Sequence, residues 1–313
     1  MKKVLRVIGS LFLLIVIFIV GFLIWNSKRQ LVSKNYYKEI ETGGDIEAKY
    51  LGVGPYRDVQ LKEIAVMQNF KKYLIYYPTD ITRINKKFPL IICSNGTGVP
   101  ASKCRALLKR MATWGFIVVG TDEEYSWNGF SSEMCLKLMI KLNDAEVVFD
   151  WSSNPFYQSV DLENIGLMGH SQGGVGVINA ATAAKHADMV KAIVVMSPAN
   201  MEISSALEWD YNPSLITVPT FLVSGTGQVD ENIIISLSQL NDIYNEIPEN
   251  VDKVMIRKTG VDHGETSFAE DGYITAWFMW HLQEDEYAAR AFLGEHPEIQ
   301  LNRLYQDQRI NIK

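Results

Sequence analysis

The amino-acid sequence predicts one α/β domain, a mostly parallel sheet with helices on both faces, behind an N-terminal transmembrane helix. Three observations predict it. Runs such as "PLIIC", "FIVVG" and "AIVVM" are continuously apolar rather than alternating, the pattern of strands covered on both faces. They take turns with segments of helical spacing, and that alternation builds a parallel sheet. Residues 7–25, "VIGSLFLLIVIFIVGFLIW", carry no charge, and 19 residues at a rise of ~1.5 Å just span a hydrocarbon core of ~30 Å.

The elements follow in order. Lys2, Lys3 and Arg6 precede the apolar run, and Lys28 and Arg29 follow it. The run exceeds the h-region of a signal peptide, no A-x-A-like cleavage site follows, and Trp25 suits an interfacial anchor. The expectation is an uncleaved signal-anchor in residues 1–29 (helix about 7–25), single-pass in the cell membrane, with the domain that follows extracellular. A polar stem, 30–65, then leads into one domain, 66–313. Strands are expected at 73–78, 88–94, 115–121, 164–170, 191–197, 218–225 and 252–259. Helices are expected at 101–114, 132–151, from 172 to about 186 and near 231–245, with a helical tail closing the chain.

Composition narrows the function. At 313 residues and 47% hydrophobic, the chain can bury a large core. Five of its 30 Lys and Arg lie before residue 31, leaving 25 basic against 36 acidic residues, near −11. Such a body repels polyphosphate, so nucleic acid is excluded as a partner. Cys93, Cys104 and Cys135 are too few for a disulfide framework and match no zinc spacing. Neither a metal nor a cofactor is expected.

One stretch carries chemistry. In "NIGLMGHSQGGVGVINAA", residues 164–181, Gly169-His170-Ser171-Gln172-Gly173 ends a buried strand and opens a helix. G-x-S-x-G in that setting is a nucleophile elbow. The glycines are sterically required, and the helix N-terminus aims N–H groups at an oxyanion beside Ser171. A serine needs a base. Of five histidines, His170 lies in the elbow, His186 ends a helix, His281 is inside a helical pattern and His296 is in the polar tail. His263, in "TGVDHGETSF", follows the last expected strand. The orienting carboxylate is expected at Asp230, after the strand 218–225, with Asp210 as the contender. Glu231 reads as a solvated first-turn acid and Asp262 as solvated.

"ICSNGTGVP" follows the strand 88–94, where the N–H of Thr97, with that of Gln172, would form an oxyanion hole. The same loop fits G-x-G-x-x-A, with Asp122 ending the next strand, which on paper is a dinucleotide fingerprint. That reading of an oxidoreductase leaves the elbow and the His263 loop unexplained. Tyr125, Trp127 and Trp209 lie in loops at strand ends and are candidates for an apolar substrate pocket.

With these parts in order, the chain resembles the α/β-hydrolase superfamily. "PLIICSNGTG", "RMATWGFIVVGTD", "IGLMGHSQGG" and "VDHGE" look like cutinase-like polyester hydrolases, chlorophyllases and dienelactone-hydrolase-like esterases, over roughly 70–285. The resemblance implies an α/β-hydrolase fold and hydrolysis of small-molecule or lipid-like carboxylic esters. Ser171 would be the nucleophile, Asp230 the acid, His263 the base, and Thr97 and Gln172 the oxyanion donors. Asn95 stands where many relatives carry His, and a serine elbow argues against true dienelactone hydrolysis. An acyltransferase with the same triad, or an inert membrane-tethered binding protein, would share these features.

Overall fold

The computed structural model describes residues 29–66, 70–148 and 151–313. The expected membrane span, 7–25, lies outside them. Among the described residues, no helix is long and apolar enough to cross a membrane.

Among the described residues, nine strands form one sheet: β1 Val59–Ala65, β2 Lys72–Pro78, β3 Phe88–Ser94, β4 Ile117–Thr121, β5 Val160–His170, β6 Val190–Met196, β7 Thr220–Gly225, β8 Lys253–Lys258 and β9 Tyr305–Asn311. Their order is β1-β2-β4-β3-β5-β6-β7-β8-β9. β4 through β8 run parallel, while β1, β2 and β9 are antiparallel at the two edges. The helices are α1 Asp45–Leu51, α2 Arg105–Ala112, α3 Phe130–Asp144, α4 Gln172–Ala183, α5 Met201–Ala206, α6 Leu237–Glu246, α7 Asp271–Gln283, α8 Glu286–Ala289 and α9 Glu298–Leu301.

The unbroken apolar runs have a simple cause. Successive strand residues point to opposite faces, and here each face has its own core. Ile91, Val118, Met168 and Val194 pack with Leu108 and Met111 of α2 and Trp277 and Phe278 of α7. Their neighbours Ile92, Val119, Leu167 and Ile193 pack on the other side with Met139 of α3, Ile178 of α4 and Ile243 of α6.

The structure differs from the expected stem and tail. In the segment 30–65, Val32, Tyr36, Ile46, Tyr50 and Leu51 are buried in the core, and β1 pairs with β2. The chain closes on strand β9, which pairs with β8, and not on a helix. Both strands are at sheet edges, and their sequences, "VQLKEIA" and "YQDQRIN", mix charge into the pattern as exposed edges do. A third difference lies after β7: residues Asp230–Ile234 form a wide-wound π turn, and α6 begins only at Leu237 behind a Ser236/Gln239 capping box.

Candidate active site

The C-terminal edges of the parallel strands bring the expected residues together. β5 ends at His170 and α4 starts at Gln172, so Ser171 alone makes the turn, at φ 57 and ψ −122. A non-glycine residue seldom adopts a positive φ. This one is held by Ser171 N donating to Met196 O at 2.9 Å and Gly174 N to Ser171 O at 2.9 Å. The flanking glycines leave the turn its room: a Cβ on Gly169 would sit 2.2 Å from Gly173 O, and one on Gly173 2.3 Å from Ser94 O.

His263, in the loop after β8, has Nε2 3.0 Å from Ser171 Oγ and Nδ1 2.7 Å from Asp230 Oδ1. Asp230 is fully buried at the start of the π turn. Its Oδ2 accepts from Ser197 Oγ at 2.6 Å and Gly225 N at 2.8 Å. Burial pushes this carboxyl up, but the bonds from His263, Ser197 and Gly225 outweigh burial and hold it below the usual aspartate range. Asp230, not Asp210, is the carboxylate bonded to His263; Asp210 is exposed, and its carbonyl accepts from Asn179.

Thr97 and Gln172 meet through their side chains, Gln172 Nε2 donating to Thr97 Oγ1 at 3.2 Å, while Gln172 Oε1 accepts from Ser126 N at 2.8 Å. Tyr125 is 59% exposed beside Ser126. Trp127 and Trp209 are half-buried on separate loops. Asn179 Nδ2 joins those loops, donating to Trp127 O at 2.8 Å and to Asp210 O at 3.0 Å.

Four residues in the frame were not singled out for it by sequence. Asp262 is not simply solvated: its Oδ1 accepts from Val229 N, Asp230 N and His263 N at 2.9, 3.1 and 2.8 Å. One oxygen thus sets the acid loop against the histidine loop. Asn95 Nδ2 donates to Thr121 O and Glu123 O at 2.7 and 2.9 Å, bracing the Thr97 loop against the β4 loop. His170 lies against His263, ring centroids 4.5 Å apart and planes tilted by 36°, and its Nε2 donates to His263 O at 2.7 Å. Ser197 is the fourth, and the signal available for it was its place at the end of β6. Glu231 is a first-turn acid as expected, its side chain 40% exposed, and it also bonds Arg257.

Competing chemistries find less support. Asp122, which a dinucleotide site would need for a ribose, accepts from Ser102 N at 2.9 Å. The three cysteines are free thiols, and burial raises them all, Cys104 to about 12, so none competes as a nucleophile at neutral pH. Among the described residues, no group of His, Cys, Asp and Glu is placed to hold a metal.

A mostly parallel sheet of this order, with a serine turn after β5 and an imidazole and a carboxylate on the loops after β8 and β7, defines the α/β-hydrolase class. The chain belongs to the PETase (PET hydrolase-like) family, whose model matches residues 41–311. Among its relatives are the cutinases est2 and est1 of Thermobifida alba. Each is 27% identical, over 67% of this chain and 64% and 65% of their own lengths. A bis(hydroxyethyl) terephthalate hydrolase of Streptomyces coelicolor is 24% identical over 74% of this chain and 69% of its own. The chain therefore spans just under two thirds of the length of the two cutinases.

Proposed function

We propose that this chain is a serine hydrolase that cleaves carboxylic esters through an acyl-enzyme, with Ser171 as nucleophile, His263 as base and Asp230 as orienting acid. The observation that carries the reading is the continuous hydrogen-bonded line from Ser171 Oγ through both nitrogens of His263 to Asp230. Neutral His263, with Nδ1–H donated to Asp230, accepts the Ser171 proton on Nε2 as Oγ bonds to the ester carbonyl carbon. The carbonyl electrons move onto oxygen. Collapse of that oxyanion expels the alcohol, which takes the proton from His263. Water, deprotonated by the same imidazole, then attacks the acyl-serine; the Oγ–acyl bond breaks, His263 returns the proton to Ser171 Oγ, and the acid is released.

The N–H groups of Thr97 and Gln172 would receive the oxyanion. Gln172 is the first residue of α4, so its N–H has no intrahelical acceptor, and one such donor is worth about 2.7–4 kcal/mol in the transition state. Tyr125, Trp127 and Trp209 would line the approach for a hydrophobic acyl or aryl group. The printed activities of the relatives, cutinase and bis(hydroxyethyl) terephthalate hydrolase, support the ester class. Residues 7–25 would hold the chain in the cell membrane with the domain outside; the support is their uncharged length and basic flanks.

The test is Ser171→Ala. Turnover of p-nitrophenyl butyrate is expected to fall by about 10³-fold or more, and turnover at the parent rate would remove Ser171 from the role.

A further inference from the structure

We infer that the active-site edge of the domain rests against the lipid surface that holds its own N-terminal segment, so that Ser171 works on esters presented at that surface. The inference rests on the ester-hydrolase and membrane-anchor readings above. It goes beyond them in fixing which pole faces the bilayer.

The carrying observation is where the chain joins the domain. Leu31 N donates to Lys103 O at 2.9 Å, and Gln30 Nε2 to Ser102 O at 3.0 Å. Ser102 and Lys103 belong to the short turn Ala101–Lys103, which follows the Thr97 loop at the C-terminal edge of β3. Lys103 Nζ reaches back to Gly98 O at 3.2 Å. The entry point is thus one residue pair away from the loop that faces Ser171.

Length then decides the orientation. The apolar run ends at Trp25, so residues 26–30 can span at most ~18 Å. A domain of this size is roughly 50 Å across. So short a tether cannot bring the far pole to the bilayer while Leu31 stays bonded to Lys103.

The chemistry of the tethered edge fits a lipid surface. Leu31, Leu207, Val229 and Ile233 are 39%, 49%, 38% and 59% exposed there, the last three on loops leaving β6 and β7. Lys28, Arg29, Lys34 and Lys38 precede the first acid, Glu39, and basic residues beside a span favour anionic headgroups, so the attraction comes from the juxtamembrane stretch and works against the exposed Glu202, Glu208 and Glu265 of the domain. The far pole also exposes Ile84 and Val147, at 37% and 78%, but around an open, mostly polar groove of about 1130 Å³ lined by Arg83, Asn85, Asn143 and Gln158.

The experiment uses the full chain in vesicles of phosphatidylcholine and phosphatidylglycerol containing a headgroup-nitroxide lipid. A fluorescent amino acid replaces Ile233 in one variant and Glu163 in another. Glu163 lies on β5 eight residues before Ser171, a height difference of ~26 Å. Roughly threefold stronger quenching at Ile233 is expected, because that height difference is close to the thickness of a hydrocarbon core. Equal quenching, or stronger quenching at Glu163, overturns the inference. A second arm inserts about 20 Gly and Ser residues between Asn26 and Ser27, adding roughly 25 Å of reach. Hydrolysis of a fluorogenic diacyl lipid in the same vesicle should fall about fivefold while p-nitrophenyl butyrate turnover stays unchanged. No fall in the lipid reaction overturns the inference. Release of the chain by an alkaline carbonate wash overturns it together with the anchor reading. Quenching as expected from a chain that never hydrolyses p-nitrophenyl butyrate supports the orientation and sinks only the esterase reading.

Discussion

Two buried carboxylates with basic partners sit on different parts of this molecule, and they behave differently. Asp230 meets His263 Nδ1 at 2.7 Å, and Asp271 at the start of α7 meets Arg110 of α2 at 2.6 Å. His263 is 18% exposed and has a second nitrogen turned toward a hydroxyl on a strained turn. Arg110 is 2% exposed and its donors are all directed inward, to Tyr36 Oη, Tyr50 O, Thr275 Oγ1 and Asp271. Burial alone would favour a neutral guanidine, but the facing Asp271 and Tyr36 hold the Arg110 charge above its ordinary strength. The lesson concerns capacity rather than polarity. A buried pair becomes a site when one member keeps an unfilled acceptor that a substrate-facing group can use. The α2–α7 pair offers a substrate none: Asp271 Oδ1, unpartnered among the described residues, is sealed away from solvent, and the pair fastens the N-terminal segment to the back of the sheet through Tyr36 and Tyr50.

The largest effect that could break this contrast is at Asp230. Asp230→Asn should lower kcat by about 10²–10⁴-fold, through loss of the charge that stabilises imidazolium, with a small change in thermal midpoint. A kcat within tenfold of the parent would mean the first pair is structural too. Next comes Arg110→Met, which leaves Asp271 buried without its cation and should cost about 3–5 kcal/mol of stability in urea titration. The folded fraction should keep its turnover of p-nitrophenyl butyrate, and a catalytic loss without a stability loss would erase the distinction.

A third measurement sharpens it with pH. Burial, and then the neighbouring His263, lower His170 to about 3, whereas an unfolded histidine titrates near about 6.5. Between these values the unfolded chain binds the extra proton. Stability is therefore full above about pH 6.5 and is lost as pH falls, by up to about 1.4 kcal/mol per pH unit. His170→Phe should reduce that slope in urea titrations from pH 4 to 8, with His281, which burial also lowers to about 3, keeping a similar share, and an unchanged slope would assign the acid sensitivity elsewhere. The smallest effect is at Asp262. Asp262→Ala should lower kcat about fivefold with KM unchanged, through about 1 kcal/mol of lost hydrogen bonding to the two loops, while Asp262→Asn, which keeps an acceptor, should recover most of it. Equal losses in both variants would point to the charge of Asp262 and not to its bonds.

Legibility along the chain followed burial. The seven expected strands all lie within the sheet because two-sided burial writes itself as continuous apolar sequence, as at Leu90–Ile92 and Ile117–Val119. β1 and β9 were hidden because an edge strand keeps one side in water. Lys62 and Glu63 in one, and Asp307 and Arg309 in the other, read as stem and tail. The stem also concealed Tyr36, Tyr50 and Glu47. Glu47 is buried and takes bonds from Asn302 Nδ2 and Tyr305 Oη at 2.8 and 2.5 Å, partners more than 250 positions away.

Within the site, Ser171 stood out because its turn needs glycine at 169 and 173, a demand made by atoms close in sequence. Asp262 could not stand out, since its role is to accept three N–H groups from two separate loops. What the sequence alone determined was the set of strand ends and the small residues that let a serine sit on one of them, because those depend on local sterics and on which faces meet water. Tertiary structure alone decided that Asp230 and not Asp210 meets His263, that His170 lies against it, and that Leu31 is bonded beside the Thr97 loop. Each of these is a distance between segments far apart in the chain, and only the packing of the sheet with its two layers of helices sets such distances.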